Sequence, residues 1–216
     1  MTVAAKALTS LCPHCRLETG SAVYCERCDL PLAVSSDHNY FAILGLSPSF
    51  HLTPEVLASA YRRLARKIHP DRFIDRSETL RAAATAGIAA LNQAYRTLLE
   101  PVTRAEYLLT LAGGPGAADF RSVDPALLAE MMSMREELDA VRAEGQLAAP
   151  ANLVARVLQL RTRDLDRIGS IASRIDSADD HDRQSLRLLL NGMRYYDNLL
   201  AELTAPARFN LPGSGD

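Results

Sequence analysis

Tryptophan is absent from this chain, and aromatic residues make up only 6% of it. A core with so few rings has to be closed by aliphatic side chains. Ala and Leu dominate and β-branched runs are few, which favours helices packed through aliphatic seams. No sign of charge prevails: the formal net charge is −2, so there is no global drive toward nucleic acid or a membrane surface. No stretch approaches the roughly eighteen apolar residues of a membrane span. The start, Met1 to Ser10, has one Lys, no Arg and no apolar core ahead of a cleavage site. Neither a secretion signal nor a transit peptide is expected there. A reducing bacterial cytoplasm is the expected compartment, with the mitochondrial matrix as the second option. No internal repeat or long low-complexity tract is visible. With 216 residues, 48% apolar and 23% charged, the composition is that of one large or two small globular domains.

Cysteine is scarce too, but all four are concentrated in residues 11–30 as Cys12-Pro13-His14-Cys15 and Cys25-Glu26-Arg27-Cys28. Each C-x2-C turn can present two thiolates on one side of a loop, and two such knuckles complete a tetrahedron. Zn²⁺ accepts four sulfurs with no further ligand, so the site is expected to be closed and structural. The segment has too few apolar residues to fold without a metal staple. Disulfides need an oxidising compartment, and a redox dithiol needs one pair rather than two. Iron uses the same four ligands, so zinc is expected ahead of iron. His14 is spare beside four cysteines and is expected at the surface.

Residues Pro31–Ser36 read as a linker, making residues 1–36 a metal-binding head independent of the rest of the chain. Asp37 is the expected cap of a short helix carrying Tyr40, Phe41, Ile43 and Leu44, with Gly45 ending it. Thr53-Pro54-Glu55 then reads as a helix start: capping hydroxyl, proline at the first helical position, acid in the first turn. Leu57, Tyr61, Leu64 and Ile68 recur as one helical stripe. Arg62, Arg63, Arg66 and Lys67 lie off it, a positive face that a residue such as Glu55 does not neutralise. Pro70 removes a backbone donor and drives His69 out of helical geometry, so the helix ends there. His69 and Asp71 are displayed at a rigid corner, followed by Arg72. A second stripe, Ala84, Ile88, Leu91, Tyr95 and Leu98, completes a helical hairpin.

Gly113-Gly114-Pro115-Gly116 marks a boundary, and Asp124-Pro125 starts three amphipathic segments. The first carries Leu127, Met131, Met134, Leu138 and Val141. The second carries Val154, Leu158, Leu165, Ile168, Ala172 and Ile175, with Arg161 interrupting. The third carries Leu186, Leu189, Met193, Tyr196, Leu200 and Leu203. Joined by turns at Gly145–Pro150 and Ser177–Asp180, they predict an antiparallel three-helix bundle. The expected layout is all-α: head and linker 1–36, hairpin domain 37–113, bundle 117–205 and a frayed tail 206–216.

A helix pair with His69-Pro70-Asp71 at its tip resembles the J-domain of DnaJ-type co-chaperones. The resemblance includes Asn39-Tyr40-Phe41-Ala42-Ile43-Leu44-Gly45-Leu46 and Leu91-Asn92-Gln93-Ala94-Tyr95-Arg96-Thr97-Leu98. On its own, a His before a Pro at a helix end is an ordinary surface residue; the flanking pattern changes its meaning. Arg104-Ala105-Glu106-Tyr107-Leu108-Leu109 and Met132-Ser133-Met134-Arg135-Glu136-Glu137-Leu138-Asp139 further resemble the HscB family, the J-protein co-chaperone of iron–sulfur cluster assembly. A four-cysteine head similar to this one stands on some eukaryotic members. The chain departs from the family at Arg72, where Lys is usual, and at Ser133 and Ala140, where acids are frequent.

The resemblance implies a co-chaperone rather than an enzyme, consistent with no nucleophile or phosphate-binding loop beside His69 and Asp71. It implies that His69, Pro70, Asp71, Arg62, Arg63, Arg66, Lys67 and Arg72 engage a DnaK- or HscA-type chaperone and stimulate its ATPase. Leu128, Met132 and Tyr195 sit beside their core stripes rather than on them. With Glu136 as rim they match the family's contact with the IscU-type scaffold. Homodimerisation is an open option. The competing expectations are a general J-domain co-chaperone in protein folding and a zinc-dependent nucleic-acid protein. The near-neutral charge argues against the second.

Overall fold

The computed structural model describes residues 10–35, 38–145 and 149–204. The elements in order are β1 (Ser10–Leu11), β2 (Glu18–Thr19), β3 (Tyr24–Cys25), β4 (Leu30–Pro31), α1 (Tyr40–Leu44), α2 (Pro54–Lys67), α3 (Glu78–Leu99), α4 (Pro101–Leu111), α5 (Pro125–Ala143), α6 (Ala151–Ala172) and α7 (Asp180–Thr204). Short 3-10 turns cover Pro70–Phe73 and Ile175–Ser177. The protein is mostly helical, as its composition predicts. The strands are two small antiparallel ladders, Ser10↔Thr19 with Leu11↔Glu18, and Tyr24↔Pro31 with Cys25↔Leu30. Two compact units emerge. One runs to Gly113 and takes in Ala172–Ala178; the other holds Gly114–Ile171 and the chain from Asp179 onward.

In the first unit the local signals act as read. Thr53 caps α2 by accepting from the Val56 N–H, and Pro54 follows at the first helical position. Gly45 ends α1 in the left-handed region at φ 67°. The cap of α1 is Asn39, whose side chain accepts from the Ala42 N–H at 2.8 Å; Asp37, the residue expected to cap, lies outside the described residues. Helices α2 and α3 pack antiparallel. Tyr61 donates to Asn92 at 2.8 Å and packs 4.8 Å from the Tyr95 ring, while Ile68 lies at the other end against Gly87. Leu57, Leu64, Ile68, Ala84, Leu91 and Leu98 are buried between them.

Helix α4 closes this unit with Arg104 and Tyr107. Arg104 is buried and donates to the carbonyls of Leu98, Leu99, Phe50 and Leu52, tying the end of α3 to the approach to α2. Burial lowers its pKa, partly offset by the Glu100 carboxylate, and its hydrogen bonds all go to carbonyl oxygens. Tyr107 stacks on Tyr40 at 4.4 Å and its hydroxyl accepts from the Tyr40 N–H at 2.9 Å. The segment that suggested a family in the sequence is thus a fold staple.

The expectation of an independent head is overturned. Pro31 and Leu32, read as the start of a linker, are buried, and Pro31 belongs to β4. The Ala22 N–H donates to the Ala42 carbonyl at 2.9 Å, and the Ser21 hydroxyl donates to the Ile43 carbonyl at 2.8 Å. Val23 and Tyr24 are fully buried. Val23 lies against Gly87 of α3, and Gly20 lies so close to Gly45 that a Cβ at Gly45 would strike its carbonyl. Head and hairpin share a core because both interfaces are lined by small residues that let backbones approach.

The second unit is a bundle of α5, α6 and α7. Asp124 caps α5 by accepting from the Ala126 N–H at 2.9 Å, ahead of Pro125. Helices α5 and α7 run the same way. Leu127 meets Gly192, and Arg135 pairs with Glu202 at 3.2 Å. Helix α6 runs back between them, with Arg156 pairing to Glu137 at 2.7 Å and Arg161 to Asp197 at 2.8 Å. Asn191 donates to the carbonyls of Phe120 and Ser122, holding the segment that leads into α5 on α7. The seam of α6 differs from the sequence reading. Leu158 is exposed, and the buried line is Leu153, Val157, Asp164, Ile168 and Ala172. It is displaced because Asp164, a carboxylate, occupies a core position. Tyr196 donates to it at 2.7 Å, and Arg163 and Arg167 each reach it at 3.2 Å. The expected frayed tail lies outside the described residues.

Candidate functional site: the His-Pro-Asp corner, the bundle face and a four-thiol centre

Helix α2 stops at Lys67 because the residue before a proline is pushed to extended geometry; His69 has φ −57° and ψ 130°. The corner is clamped on both sides. Ile68, just before it, and Phe73, at the end of the 3-10 turn, are both buried. His69 and Asp71 between these anchors are exposed, with the His69 Nδ1 accepting from the Asp71 N–H and lying 3.4 Å from its carboxylate. The corner is a presented surface, held from both sides by buried neighbours.

The positive face is not as free as its sequence suggests. Arg63 pairs with Glu26 at 3.1 Å, Arg72 with Asp29 at 3.1 Å, and Lys67 stands 4.0 Å from Asp29. Among the described residues Arg62 and Arg66 make no ion pair. Asp29 also accepts from the Tyr24 hydroxyl, which with Arg72 and Lys67 lowers its pKa. Burial and this carboxylate push Tyr24 up to about 12. The two acids were missed because they lie 37 and 43 residues before their partners.

Each C-x2-C knuckle is built alike: a two-residue ladder leads in and out, and the residue after its second cysteine, Arg16 or Asp29, has positive φ. That reversal returns the chain so both thiols face inward. The four sulfurs lie within 4.8 Å of one another. Cys12 Sγ is 3.8 Å from Cys28 Sγ, and Cys15 Sγ is 3.8 Å from Cys25 Sγ. Sulfurs held about 2.3 Å from one ion in a tetrahedron stand about 3.8 Å apart, so the donor set fits a metal. The Cys15 backbone N–H holds the Cys12 thiol down to about 6. The Cys15 thiol and then burial push Cys28 up to about 12. A divalent cation at the centre of the four sulfurs would hold them as thiolates. Cys12 and Cys25 are buried with Leu32 in a small core of their own. His14 is exposed.

On the bundle, Leu128, Met132 and Glu136 follow one another at four-residue spacing along α5. Met132 is 61% exposed, large for a methionine, and Glu136 is exposed. Leu128 and Tyr195 are half-buried. The contacts of Leu127 with Gly192 and Arg135 with Glu202 put Tyr195 on α7 at a level between Leu128 and Met132. Core residues of the same helix, Met131, Met134 and Leu138, are buried.

A hairpin that presents His-Pro-Asp at a clamped corner, joined to a three-helix bundle, defines a J-domain protein. Residues 39–107 match the DnaJ domain family, and residues 123–204 match the HSCB C-terminal oligomerisation domain. The solved structure of the chaperone HscB from Vibrio cholerae is 30% identical, with a TM-score of 0.63, 76% of this chain and 95% of that one being covered. That of the human co-chaperone protein HscB is 25% identical, with a TM-score of 0.65, covering 90% of this chain and 96% of that one. The chain belongs to the HscB family of J-domain co-chaperones.

Proposed function

We propose that this chain is an adaptor for iron–sulfur cluster assembly, joining an IscU-type scaffold to a DnaK- or HscA-type chaperone and stimulating that chaperone's ATPase. The observation that carries the reading is the pairing of two surfaces on one chain: the exposed His69-Pro70-Asp71 corner and the apolar group Leu128, Met132 and Tyr195 rimmed by Glu136. The basic side of α2 steers the chaperone's acidic surface into contact, raising the encounter rate in a salt-dependent way. The corner then favours the hydrolysis-competent state, which requires tighter binding to that state than to the other. The bundle holds the scaffold through a small apolar patch. No step is catalysed by this chain.

The four thiolates hold zinc as a closed structural site, since no ligand position is left open for chemistry. Elemental analysis of protein purified without chelator checks this: about one zinc per chain supports it, whereas red, iron-containing protein replaces zinc with iron. A reducing compartment, the bacterial cytoplasm, suits thiols kept for a metal. The deciding experiment combines ATPase stimulation with scaffold binding. His69→Gln should abolish stimulation while the melting temperature and scaffold affinity stay unchanged. Full stimulation by the variant would refute the reading. Preference for a denatured client over the scaffold would instead make the chain a general J-protein.

A further inference from the structure

The metal head stands on the same side of the J-domain as its cations. Both acids involved, Glu26 and Asp29, belong to the second knuckle, one inside the Cys25–Cys28 turn and one immediately after it. They meet Arg63, Lys67 and Arg72, three of the five basic side chains gathered around α2 and the corner. All five of these paired side chains are between 39% and 67% exposed, so the pairs contribute little to holding the head in place. What holds the head is elsewhere: the Ser21 and Ala22 hydrogen bonds to α1, and Val23 against Gly87. The Lys67 ammonium also lies 5.6 Å from the Tyr24 ring, so the head covers it from two directions. The acids are thus positioned by a buried scaffold but spend their charge on a solvated face. Holding four thiolates in one tetrahedron fixes the turn on which both carboxylates ride.

We infer that the metal head is a built-in electrostatic cover of the chaperone-facing surface: Glu26 and Asp29 neutralise Arg63, Lys67 and Arg72 and leave Arg62 and Arg66 as the open part of the basic face. The occupant this cover competes with is an acidic docking surface, in keeping with the proposed chaperone partner on which the inference rests. The head therefore sets how strongly and how salt-dependently the J-domain attracts that partner. Loss of the metal adds Arg63, Lys67 and Arg72 to the cations already open.

The test is the association rate with purified DnaK as probe, measured for the full chain across a salt series. Glu26→Gln with Asp29→Asn removes both charges while keeping every thiol, and Asn tolerates the positive φ of Asp29. The double variant should associate roughly threefold or more faster at low salt, with a steeper salt dependence that converges on the native rate at high salt. It should keep one metal per chain and the native melting temperature. Adding Arg63→Gln to Glu26→Gln restores the local charge balance and should bring the rate back toward the native value, a reversal that a purely structural role for Glu26 would not produce. Unchanged or slower association of the double variant overturns the inference. So does loss of metal or early melting, because the acids would then be holding the head rather than covering the face. His69→Gln run alongside separates the two levels. If it still stimulates the ATPase fully, the chaperone reading itself fails. If it does not, and the double variant is unchanged, only the cover fails.

Discussion

Metal removal should weaken the J-domain, not only the head. The perturbation is Cys12→Ser or Cys25→Ser, or exhaustive chelation of the native protein, each of which leaves too few thiolates to close the tetrahedron. Without the ion the head has a core of little more than Cys12, Cys25 and Leu32, which cannot hold it folded. Unfolding it withdraws Val23 and Tyr24, both fully buried, and the hydrogen bonds from Ser21 and Ala22 to α1. Burial of side chains this size stabilises by about 1.5–3 kcal/mol each, and each hydrogen bond by about 0.5–1.5 kcal/mol. Part of that burial is internal to the head, and a real denatured chain is already partly compact. A loss of about 2–4 kcal/mol for the first unit is therefore expected, or a fall in its melting temperature of about 8–15 °C. Hydrogen exchange read by mass spectrometry resolves the two units: amides of α2 near Ile68 and of α3 near Gly87 should exchange faster without metal, while those of α5 to α7 do not change. If α2 and α3 exchange alike with and without metal, the shared core carries no stability and the reasoning is refuted.

The packing sets three further outcomes. Leu128→Ala with Met132→Ala and Tyr195→Ala should weaken scaffold binding at least about tenfold with a modest stability loss, whereas Leu138→Ala should cost about 2–5 kcal/mol; equal losses in chemical denaturation would make the three residues core. Tyr196→Phe leaves the buried Asp164 without its neutral donor and should cost about 1.5–3 kcal/mol. Burial and Asp164 raise the Tyr196 pKa, so its contribution is complete below pH ~10 and lost as pH climbs through the folded value; the gap between native and variant melts should narrow above pH ~10 and nowhere below. Arg104→Met strands four carbonyl acceptors and should lower the first unit's stability by about 3 kcal/mol or more, with Arg104→Lys recovering only part, since one ammonium cannot span carbonyls on two segments; a fully stable methionine variant would contradict the staple.

Much of the site is written locally, because local sterics and spacing decide it. Pro70 ends α2 and turns His69 outward whatever surrounds it. Thr53-Pro54 starts α2 and Gly45 stops α1, each through its own backbone. The two C-x2-C turns bring four thiols together through knuckles of similar local geometry. In the bundle, α5 buries Met131, Met134 and Leu138 as read, α7 buries Leu190 and Leu199 where Leu189 and Leu200 were expected, and in α6 Asp164 breaks the apolar pattern and shifts the apparent seam; Arg163 and Arg167 beside it on α6, with Tyr196 brought in by the fold, make a carboxylate acceptable there. The docking of the head was beyond the sequence for a related reason. It rests on Gly20 against Gly45, Val23 against Gly87 and the Ser21 and Ala22 hydrogen bonds to α1, and the acids it carries lie 37 and 43 residues from the cations they meet. Glycines and exposed charges carry no periodic signal of what they will meet. Local chemistry thus determined which surfaces this protein presents, and only tertiary packing decided that the metal head would stand over one of them.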